Sequence, residues 1–227
     1  MTDKSLKESK EYLIHRLKSN GYIVSPEVER AFRKVPREEF LPPHARNSAY
    51  LDTPLRIGKG QTISAPHMCA MMCELLKLRP GHKLLEIGTG SGYHAALCAE
   101  LVSSPDPTLN GKVYTIERIA ELALQAEQTL NRLGYGDIVK VIIGDGSLGY
   151  PDEAPYDRIL VTAAAPRIPP PLVEQLAPLG RLVIPVGEHA FWQELIVIEK
   201  DIDGNLSKSY HGGVAFVPLV GKFGITD

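Results

Sequence analysis

One ten-residue stretch constrains the fold of this chain more than any other. Residues 84–93 read Leu-Leu-Glu-Ile-Gly-Thr-Gly-Ser-Gly-Tyr, an apolar run followed by three alternating glycines. Apolar runs of this length form buried strands, and glycines at such a turn let the backbone adopt positive φ and approach a ligand closely. The stretch therefore predicts a strand, a tight loop and the start of a helix, which together begin an α/β sheet.

The rest of the chain alternates in the same way. Strands are predicted at 83–87, 112–117, 138–143, 158–161, 181–186 and 194–199, with a last strand at 214–217 and helices at 91–101, 119–133 and 171–176. Three helices are predicted ahead of them, at 5–20, from Ser25-Pro26 to before Pro36, and from Pro66 to about Leu78. Residues 42–65 lack periodicity and are predicted to form a long loop. This alternation predicts a doubly wound, mostly parallel α/β sheet.

The residues beside the glycines indicate the kind of ligand. A dinucleotide loop, G-x-G-x-x-G, would place glycine at position 93, where this chain has tyrosine. Glu86 precedes the loop, and the loop contains no Lys or Arg. An acidic neighbour suits a ligand with a sulfonium and an ammonium better than it suits a pyrophosphate. These features disfavour a nicotinamide cofactor, although the stretch could also be a strand-to-helix turn without a ligand.

Two further carboxylates follow predicted strands at the same edge of the sheet. Glu117 closes the strand 112–117, where an acid accepts hydrogen bonds from a ribose. Asp145 lies between Gly144 and Gly146 after the next strand, where it can accept from an adenine amino group. Taken alone, Glu117 could be a strand-end residue without a ligand, and 144–146 a plain turn. Together with the glycine loop they predict S-adenosylmethionine as the cofactor.

Segments along nearly the whole chain resemble the protein-L-isoaspartate (D-aspartate) O-methyltransferase family. They are 61–68 (Gln-Thr-Ile-Ser-Ala-Pro-His-Met), the glycine loop, 144–146, 154–157 (Ala-Pro-Tyr-Asp) and 214–219 (Val-Ala-Phe-Val-Pro-Leu). Many methyltransferases share the glycine loop, whereas 61–68 and the closing Phe-Val-Pro-Leu are specific to this family. The resemblance covers about residues 10–223. It implies a Rossmann-like methyltransferase sheet with an N-terminal helical extension.

The resemblance also implies the reaction. Members of this family methylate the α-carboxylate of L-isoaspartyl residues, and less readily of D-aspartyl residues, in damaged proteins and peptides. The ester cyclises to a succinimide, whose hydrolysis returns some normal aspartate. Ser64 matches the family's active-site serine. Because a carboxylate is already ionised at neutral pH, no strong base is needed, and we expect Ser64 to orient the carboxylate rather than act as a covalent nucleophile.

The candidate site residues fall into two groups. Predicted cofactor-binding residues are Thr62, Ile63, Ser64, His67, Glu86, Gly88, Gly90, Ser91, Gly92, Glu117, Arg118, Asp145 and Gly146, and predicted substrate-binding residues are Thr62, Ser64, His67, Val214, Phe216 and Val217. Alternatively, Ser64 is the N-cap of the helix that begins at Pro66, and a structural hydrogen bond is as plausible for His67 as substrate contact. The segment 42–65 is expected to fold over the cofactor, and 214–217 to pair with an extended peptide.

Composition bounds the remaining possibilities. The net charge is −2 and no basic run is present, which argues against a nucleic-acid partner. Neither a signal peptide nor an apolar run of about 18 residues is found, so no membrane association is expected. Cys69 and Cys73, four apart on a predicted helix, are expected to be buried. We expect a reduced, cytoplasmic monomer without a metal site.

The absence of repeats and linkers predicts one methyltransferase domain over 1–227. Residues 1–80 would supply N-terminal helices and a substrate-side lid, 81–200 the cofactor-binding core, and 201–227 a C-terminal strand and tail. Two alternatives stay open beside the nicotinamide enzyme. One is a methyltransferase for nucleic acid or a small molecule, although 161–166 (Val-Thr-Ala-Ala-Ala-Pro) offers no side-chain acceptor for a base amine. The other is a non-catalytic binding module.

Overall fold

A computed structural model describes residues 3–187 and 192–226 of the chain. The strands are β1 Leu55–Gly58, β2 Gln61–Ile63, β3 Lys83–Ile87, β4 Lys112–Glu117, β5 Val139–Ile143, β6 Tyr156–Val161, β7 Leu176–Val186, β8 Gln193–Lys200 and β9 Leu206–Val214. The helices are α1 Asp3–Ser19, α2 Pro26–Lys34, α3 Pro66–Leu76, α4 Tyr93–Val102, α5 Ala120–Arg132 and α6 Pro170–Glu174.

Seven strands form one sheet in the order β5-β4-β3-β6-β7-β8-β9. The first five in this order run parallel, and β8 and β9 are antiparallel to their neighbours. From β3 the chain proceeds to β4 on one side and later returns to β6 on the other. The carboxyl end of β3 is therefore the switch point, where ligands of such sheets bind. The predicted mostly parallel, doubly wound sheet is confirmed.

The two faces of the sheet bury separate apolar clusters. Leu84 packs with the cluster that includes α1 to α4, whereas Leu85 and Ile87 pack with the cluster on the α6 side. This division follows from the two-residue period of a strand. Glu86 shares the face of Leu84 because it lies two positions further along β3. No helix among the described residues is long and apolar enough to cross a bilayer.

The N-terminal helices cover the α3 and α4 side of the sheet. Ser25 is the N-cap of α2, as its sequence predicts, because its Oγ accepts from the Val28 backbone N–H at 3.3 Å. Glu74 of α3 accepts backbone N–H bonds from Val24 and Ser25, each at 2.8 Å. These bonds fasten the start of α2 to α3.

Two predictions of secondary structure were wrong. Residues 42–65 are not a plain loop: they contain a 3-10 helix, Pro43–Ser48, and the antiparallel hairpin of β1 and β2. The last strand ends at Val214 rather than spanning 214–217. Most residues of β9 are exposed, so this strand lacks the apolar alternation by which strands are recognised. The apolar residues 215–217 follow it, and with Val214 they line the serine cleft described below.

Candidate functional site

The glycine loop has the backbone conformation that its sequence predicts. Gly88, Gly90 and Gly92 all have positive φ, at 95°, 53° and 86°. A Cβ on Gly88 would lie 2.5 Å from the Thr162 Oγ1, so a side chain there would displace the threonine. That hydroxyl lies 2.7 Å from the Gly88 carbonyl oxygen. Gly92 is the N-cap of α4, so the loop leads directly into the helix.

A cavity of about 290 Å³ opens beside this loop at the switch point. We call it the glycine-loop cleft, and its walls come from the hairpin, the loop, the ends of β4 to β6 and the chain after β9. Among the residues that line it are Gln61, Thr62, Gly88, Gly90, Glu117, Arg118, Gly146, Thr162 and 217–220. Six of these are predicted cofactor residues, and they come from four segments of the chain: Thr62, Gly88 with Gly90, Glu117 with Arg118, and Gly146.

Glu117 is the carboxylate that faces this cleft directly. It is buried at the end of β4, and its Oε2 accepts from the Gly90 N–H at 2.9 Å. Its Oε1 accepts from the Ile119 N–H at 3.0 Å. Each bond uses one lone pair of a carboxylate oxygen, which leaves capacity for a further donor. Glu117 can therefore hold the glycine loop and accept from a ligand hydroxyl at the same time.

Glu86, the other predicted acid of the loop, lies beneath the cleft. It is fully buried and is not among the residues that line the cleft. Its Oε2 accepts from the Thr115 Oγ1 at 2.6 Å, and its Oε1 has no hydrogen-bond partner. Burial raises the pKa of Glu86 to about 7, because desolvation disfavours the charged form. The structure thus gives Glu86 no direct access to a ligand in the cleft.

Asp145 binds the C-terminal tail. Its Oδ2 accepts from the Lys222 N–H at 2.8 Å, and its Oδ1 accepts from the backbone and hydroxyl of Ser147. The Ser147 hydroxyl in turn accepts from the Phe223 N–H at 3.0 Å. Burial raises the pKa of Asp145, but these donated hydrogen bonds outweigh burial and lower it. The tail therefore closes the side of the cleft where Gly146 lies.

A second cavity, of about 420 Å³, adjoins the first, and we call it the serine cleft. It is lined by Pro54, Thr62, Ser64, Ala65, His67, Met68, Thr162 and residues 213–217. All six predicted substrate residues, Thr62, Ser64, His67, Val214, Phe216 and Val217, lie on its walls. A narrow cavity of about 40 Å³, lined in part by Ile63, Ser64 and Ser91, lies between this cleft and the loop.

Ser64 is fixed through its backbone, and it is not the cap of α3. The Ser64 carbonyl oxygen accepts from the Arg37 Nη2 at 2.7 Å. Ala65 is the N-cap residue, so the alternative role of Ser64 as N-cap was wrong. Asp52 caps the helix instead, since its Oδ1 accepts from the His67 N–H at 2.9 Å. The Ser64 hydroxyl therefore has no capping role that would compete with a ligand.

His67 makes the structural hydrogen bond that its sequence left open, and it also lines the serine cleft. Its Nδ1 lies 2.9 Å from the Asp52 Oδ1, and its ring stacks obliquely on Tyr22 with centroids 5.3 Å apart. The ring nevertheless lines the serine cleft. It does not line the glycine-loop cleft, so the structure places His67 on the substrate side.

The backbone after β9 is held by a side chain that sequence reasoning missed. The buried Gln193 accepts from the Phe216 N–H through Oε1 at 2.6 Å and donates to the Phe216 carbonyl through Nε2 at 3.1 Å. The Val217 carbonyl accepts from the Ala164 N–H at 2.8 Å. These bonds seat 216–217 against the ends of β6 and β8, where both residues reach the cleft.

Thr162 is the second residue that sequence reasoning missed. Among the described residues, Thr62, Thr162 and Val217 line both clefts. Thr162 directly follows β6, so the rule that placed Glu117 and Asp145 at strand ends could have found it. Asp52 and Arg37 carried no such signal, because their roles depend on contacts with residues 15 and 27 positions away.

Comparison with known proteins identifies relatives along the whole chain. The family model described as protein-L-isoaspartate(D-aspartate) O-methyltransferase matches residues 8–224. A curated protein from Methanopyrus kandleri, named protein-L-isoaspartate O-methyltransferase, is 57% identical to this chain. The alignment covers 99% of this chain and 97% of the relative. One from Hyperthermus butylicus is 55% identical over 96% of this chain and 91% of the relative.

Solved structures agree with these relatives. A Plasmodium falciparum chain, assigned as a protein-L-isoaspartate O-methyltransferase and crystallised with S-adenosyl-L-homocysteine, has a TM-score of 0.81 and 30% identity. The alignment covers 92% of this chain and 97% of that chain. A second structure of this name has a TM-score of 0.83 and 31% identity, covering 95% of this chain and 67% of the other.

Proposed function

Because this chain belongs to the protein-L-isoaspartate (D-aspartate) O-methyltransferase family, we propose that it methylates the α-carboxylate of L-isoaspartyl residues in damaged proteins and peptides. D-aspartyl residues would be poorer acceptors. The methyl donor would be S-adenosylmethionine, which supplies a methyl group on a sulfonium when it is bound. The transfer is an in-line displacement in which a carboxylate oxygen gains the methyl group and the sulfur leaves as a neutral thioether.

The glycine-loop cleft fits such a donor. Gly88 has no side chain, so its backbone is accessible from the cleft, and a Cβ at this position would collide with Thr162. Glu117 offers a carboxylate at the end of β4 that can accept from ribose hydroxyls, and Arg118 lines the same wall. Gly146 lines the opposite side, next to Asp145, whose carboxylate is our candidate acceptor for an adenine amino group. Glu86 would act only at a distance, by its charge.

The serine cleft supplies alignment for the acceptor. A carboxylate with an ordinary pKa near 4 is already the nucleophile at neutral pH. The Ser64 hydroxyl would donate a hydrogen bond to one carboxylate oxygen and leave the other aimed at the donor. His67, held by Asp52, would line the approach. Alignment and exclusion of water are worth up to about 7–11 kcal/mol in favourable cases, so these residues need perform no proton transfer.

The observation that carries this proposal is the junction between the two clefts. Thr62 and Thr162 face both, so a donor along the glycine loop and a carboxylate at Ser64 would meet between them. A non-catalytic module that only binds the cofactor would need no second cleft at this point. A nicotinamide enzyme would need a glycine where this chain has Tyr93, a buried residue.

The test is methyl transfer from labelled S-adenosylmethionine to two synthetic peptides that differ only in an isoaspartyl or an aspartyl residue. We expect base-labile label on the isoaspartyl peptide alone. An equal rate on both peptides would contradict the acceptor, and label only on added tRNA or a small carboxylic acid would favour another class of methyltransferase. Binding of S-adenosylhomocysteine without any transfer would instead indicate a binding module.

The context of the activity is a further part of the proposal. We infer one methyltransferase domain over 1–227, acting as a cytoplasmic monomer on protein and peptide substrates, without nucleic-acid or membrane partners. Cys69, Cys73 and Cys98 are all unpaired, which fits a reducing compartment. Light scattering of the purified chain tests the monomer.

A further inference from the structure

A compact cluster of metal-ligating side chains lies beneath the glycine loop. Cys73 projects from α3, and His94 and Cys98 project from α4, where they are one turn apart and share a face. The three ligand atoms all lie within 4.8 Å of one another, and all three residues are buried. None of them lines the glycine-loop cleft or the serine cleft, and only His94 of the three lines the narrow cavity between the serine cleft and the loop. The proposed methyl transfer assigns no role to any of the three.

The spacing of the cluster matches a tetrahedral ion. The Cys73 Sγ lies 3.5 Å from the His94 Nε2. An ion bound at about 2.3 Å from sulfur and about 2.0–2.1 Å from nitrogen holds these two atoms roughly 3.5 Å apart when the angle is tetrahedral. This pair of atoms is therefore spaced as two ligands of one ion, and the Cys98 Sγ lies within 4.8 Å of both.

Two orphaned polar atoms lie beside the cluster. Among the described residues, the His94 Nδ1 and the Glu86 Oε1 are buried and have no hydrogen-bond partner. A histidine that binds a metal through Nε2 carries its proton on Nδ1, and a carboxylate commonly accepts that proton. Glu86 lies on the sheet face that packs against α4, and it interacts electrostatically with His94. The two atoms are not hydrogen-bonded to each other. An ion on Nε2 would fix the proton of His94 on Nδ1, and a small movement of Glu86 or His94 would then let the carboxylate accept it.

We propose that Cys73, His94 and Cys98 form a buried zinc site, with Glu86 as the carboxylate that orients His94. Two thiolates and a neutral imidazole balance the charge of Zn²⁺, so the occupied site adds no net charge to the core. A monovalent copper ion would leave one negative charge buried there. Zinc sites with three protein ligands keep their fourth position for water.

The zinc site would link the helix beside the serine cleft to the helix that follows the glycine loop. Helix α3 begins at Pro66 on the serine cleft, and α4 begins at the end of the glycine loop. An ion shared by Cys73 and Cys98 therefore fixes the distance between these two helices. No step of the proposed methyl transfer uses the ion, so its role would be to hold the two helices together, although it has one protein ligand fewer than a closed structural zinc site. It would stabilise the folded chain by its binding free energy.

The test uses the full chain, reduced and freed of metal by a chelator, titrated with Co²⁺ and then Zn²⁺. We expect about one equivalent of Co²⁺ per chain with thiolate charge-transfer and tetrahedral absorption bands, which Zn²⁺ abolishes. Cys73→Ala and Cys98→Ala should lose these bands. Cys69→Ala is the matched control, because Cys69 is buried one turn earlier on α3 but lies outside the cluster. Circular dichroism checks that each variant folds.

If a cysteine variant does not fold, His94→Gln and the zinc content of the wild-type chain as purified decide the question. Zinc content near one ion per chain, with a thermal midpoint that falls on chelation, supports the site. A wild-type chain with three reactive thiols that binds neither ion would overturn it. So would an intramolecular Cys73–Cys98 disulfide in the freshly purified chain, or a Cys69→Ala variant that loses metal as completely as Cys73→Ala.

Discussion

At the scale of single residues, the proposed catalytic serine is positioned by a buried cation. The Arg37 guanidinium is fully buried, and it donates to the carbonyl oxygens of Ser64 and Ala49. It also lies 4.8 Å from the centroid of the Tyr93 ring, at the start of α4. Arg37 therefore connects the serine to the helix that follows the glycine loop, while the serine hydroxyl is left to the cleft.

Replacing Ser64 tests whether this hydroxyl orients the acceptor. Ser64→Ala should lower kcat on an isoaspartyl peptide by roughly ten- to a hundred-fold, because one orienting hydrogen bond is lost in the transition state. The free energy of unfolding and the affinity for S-adenosylhomocysteine should hardly change, since Ala65 and Asp52 start the helix. Ser207→Ala is the control, because Ser207 is exposed on β9 and lines neither cleft nor the narrow cavity. Wild-type kcat in a folded Ser64→Ala enzyme would move the role to Thr62 or His67.

Asp145 should make stability depend on pH in acid. Its folded pKa lies below its unfolded value, so the unfolded chain takes up the proton first as the pH falls. The stabilisation is complete above the unfolded pKa of about 4 and is lost as the pH falls through the folded pKa. In urea unfolding, the free energy by which wild type exceeds Asp145→Asn should be largest above pH ~5, shrink below pH ~4, and vanish only when the pH is below the folded pKa of Asp145. A difference that does not change with pH would mean that the negative charge is not what holds the tail.

Much of the donor side could be predicted because its signals are local in sequence. Glycines, a strand-end glutamate and a Gly-Asp-Gly turn each follow an apolar run, and topology alone brings such ends together. Thr162 also follows a strand, so the same rule could have found it. Arg37 could not be selected in this way, because its importance comes from the Ser64 carbonyl oxygen that it contacts. The metal-ligand cluster was missed for the same reason: the partners of Cys73 come from the next helix, not from Cys69.

At the scale of elements, the chain after β9 is shaped by its partners rather than by its own pattern. β9 is exposed at most positions and pairs along one side with β8, where an irregularity in register falls between Glu194 and Ile196. Beyond Val214 the chain leaves the sheet, and Gln193 binds the Phe216 backbone in place of a neighbouring strand. Residues 214–217 thus resembled a strand because they are apolar, and three of them, Val214, Phe216 and Val217, are half-buried against the site. Strands β3 and β4 were predicted to the residue because both are buried apolar runs.

Gln193 offers a test of this segment. Gln193→Ala leaves the Phe216 N–H and carbonyl without partners, which should cost about 1–3 kcal/mol of unfolding free energy. The KM for an isoaspartyl peptide should rise several-fold while the affinity for S-adenosylhomocysteine changes little. Gln193→Glu is a graded control, because it keeps the acceptor for the Phe216 N–H and loses the donor. Unchanged peptide KM in folded Gln193→Ala would show that the backbone at 216 does not shape the acceptor cleft.

At the scale of the whole molecule, the donor cleft joins distant parts of the chain. The hairpin, the glycine loop, the strand ends and the C-terminal tail all contribute to its walls. The tail reaches Asp145, whereas residues 35–54 connect the hairpin to the N-terminal helices. A ligand in this cleft contacts elements that are far apart in sequence, so its binding should oppose global unfolding.

S-adenosylhomocysteine should therefore stabilise the chain against heat. At a concentration of 100 times its Kd, it adds about 2.7 kcal/mol to the free energy of unfolding. For a domain of this size that corresponds to a rise in Tm of about 5–10 °C. Scanning calorimetry measures the shift, with NAD⁺ at the same concentration as the comparison. A shift with NAD⁺ but none with S-adenosylhomocysteine would revive the nicotinamide alternative.

Among the described residues, the two clefts share only Thr62, Thr162 and Val217. The peptide specificity of such a protein can therefore change separately from its cofactor binding. Most of the serine cleft can acquire new side chains without touching the donor wall. A lineage, or a laboratory selection, can thus retune which damaged sites are accepted while the donor pocket stays constant. A library of variants should begin at Pro54, Met68 and Ala215, because these residues line the serine cleft and do not line the glycine-loop cleft.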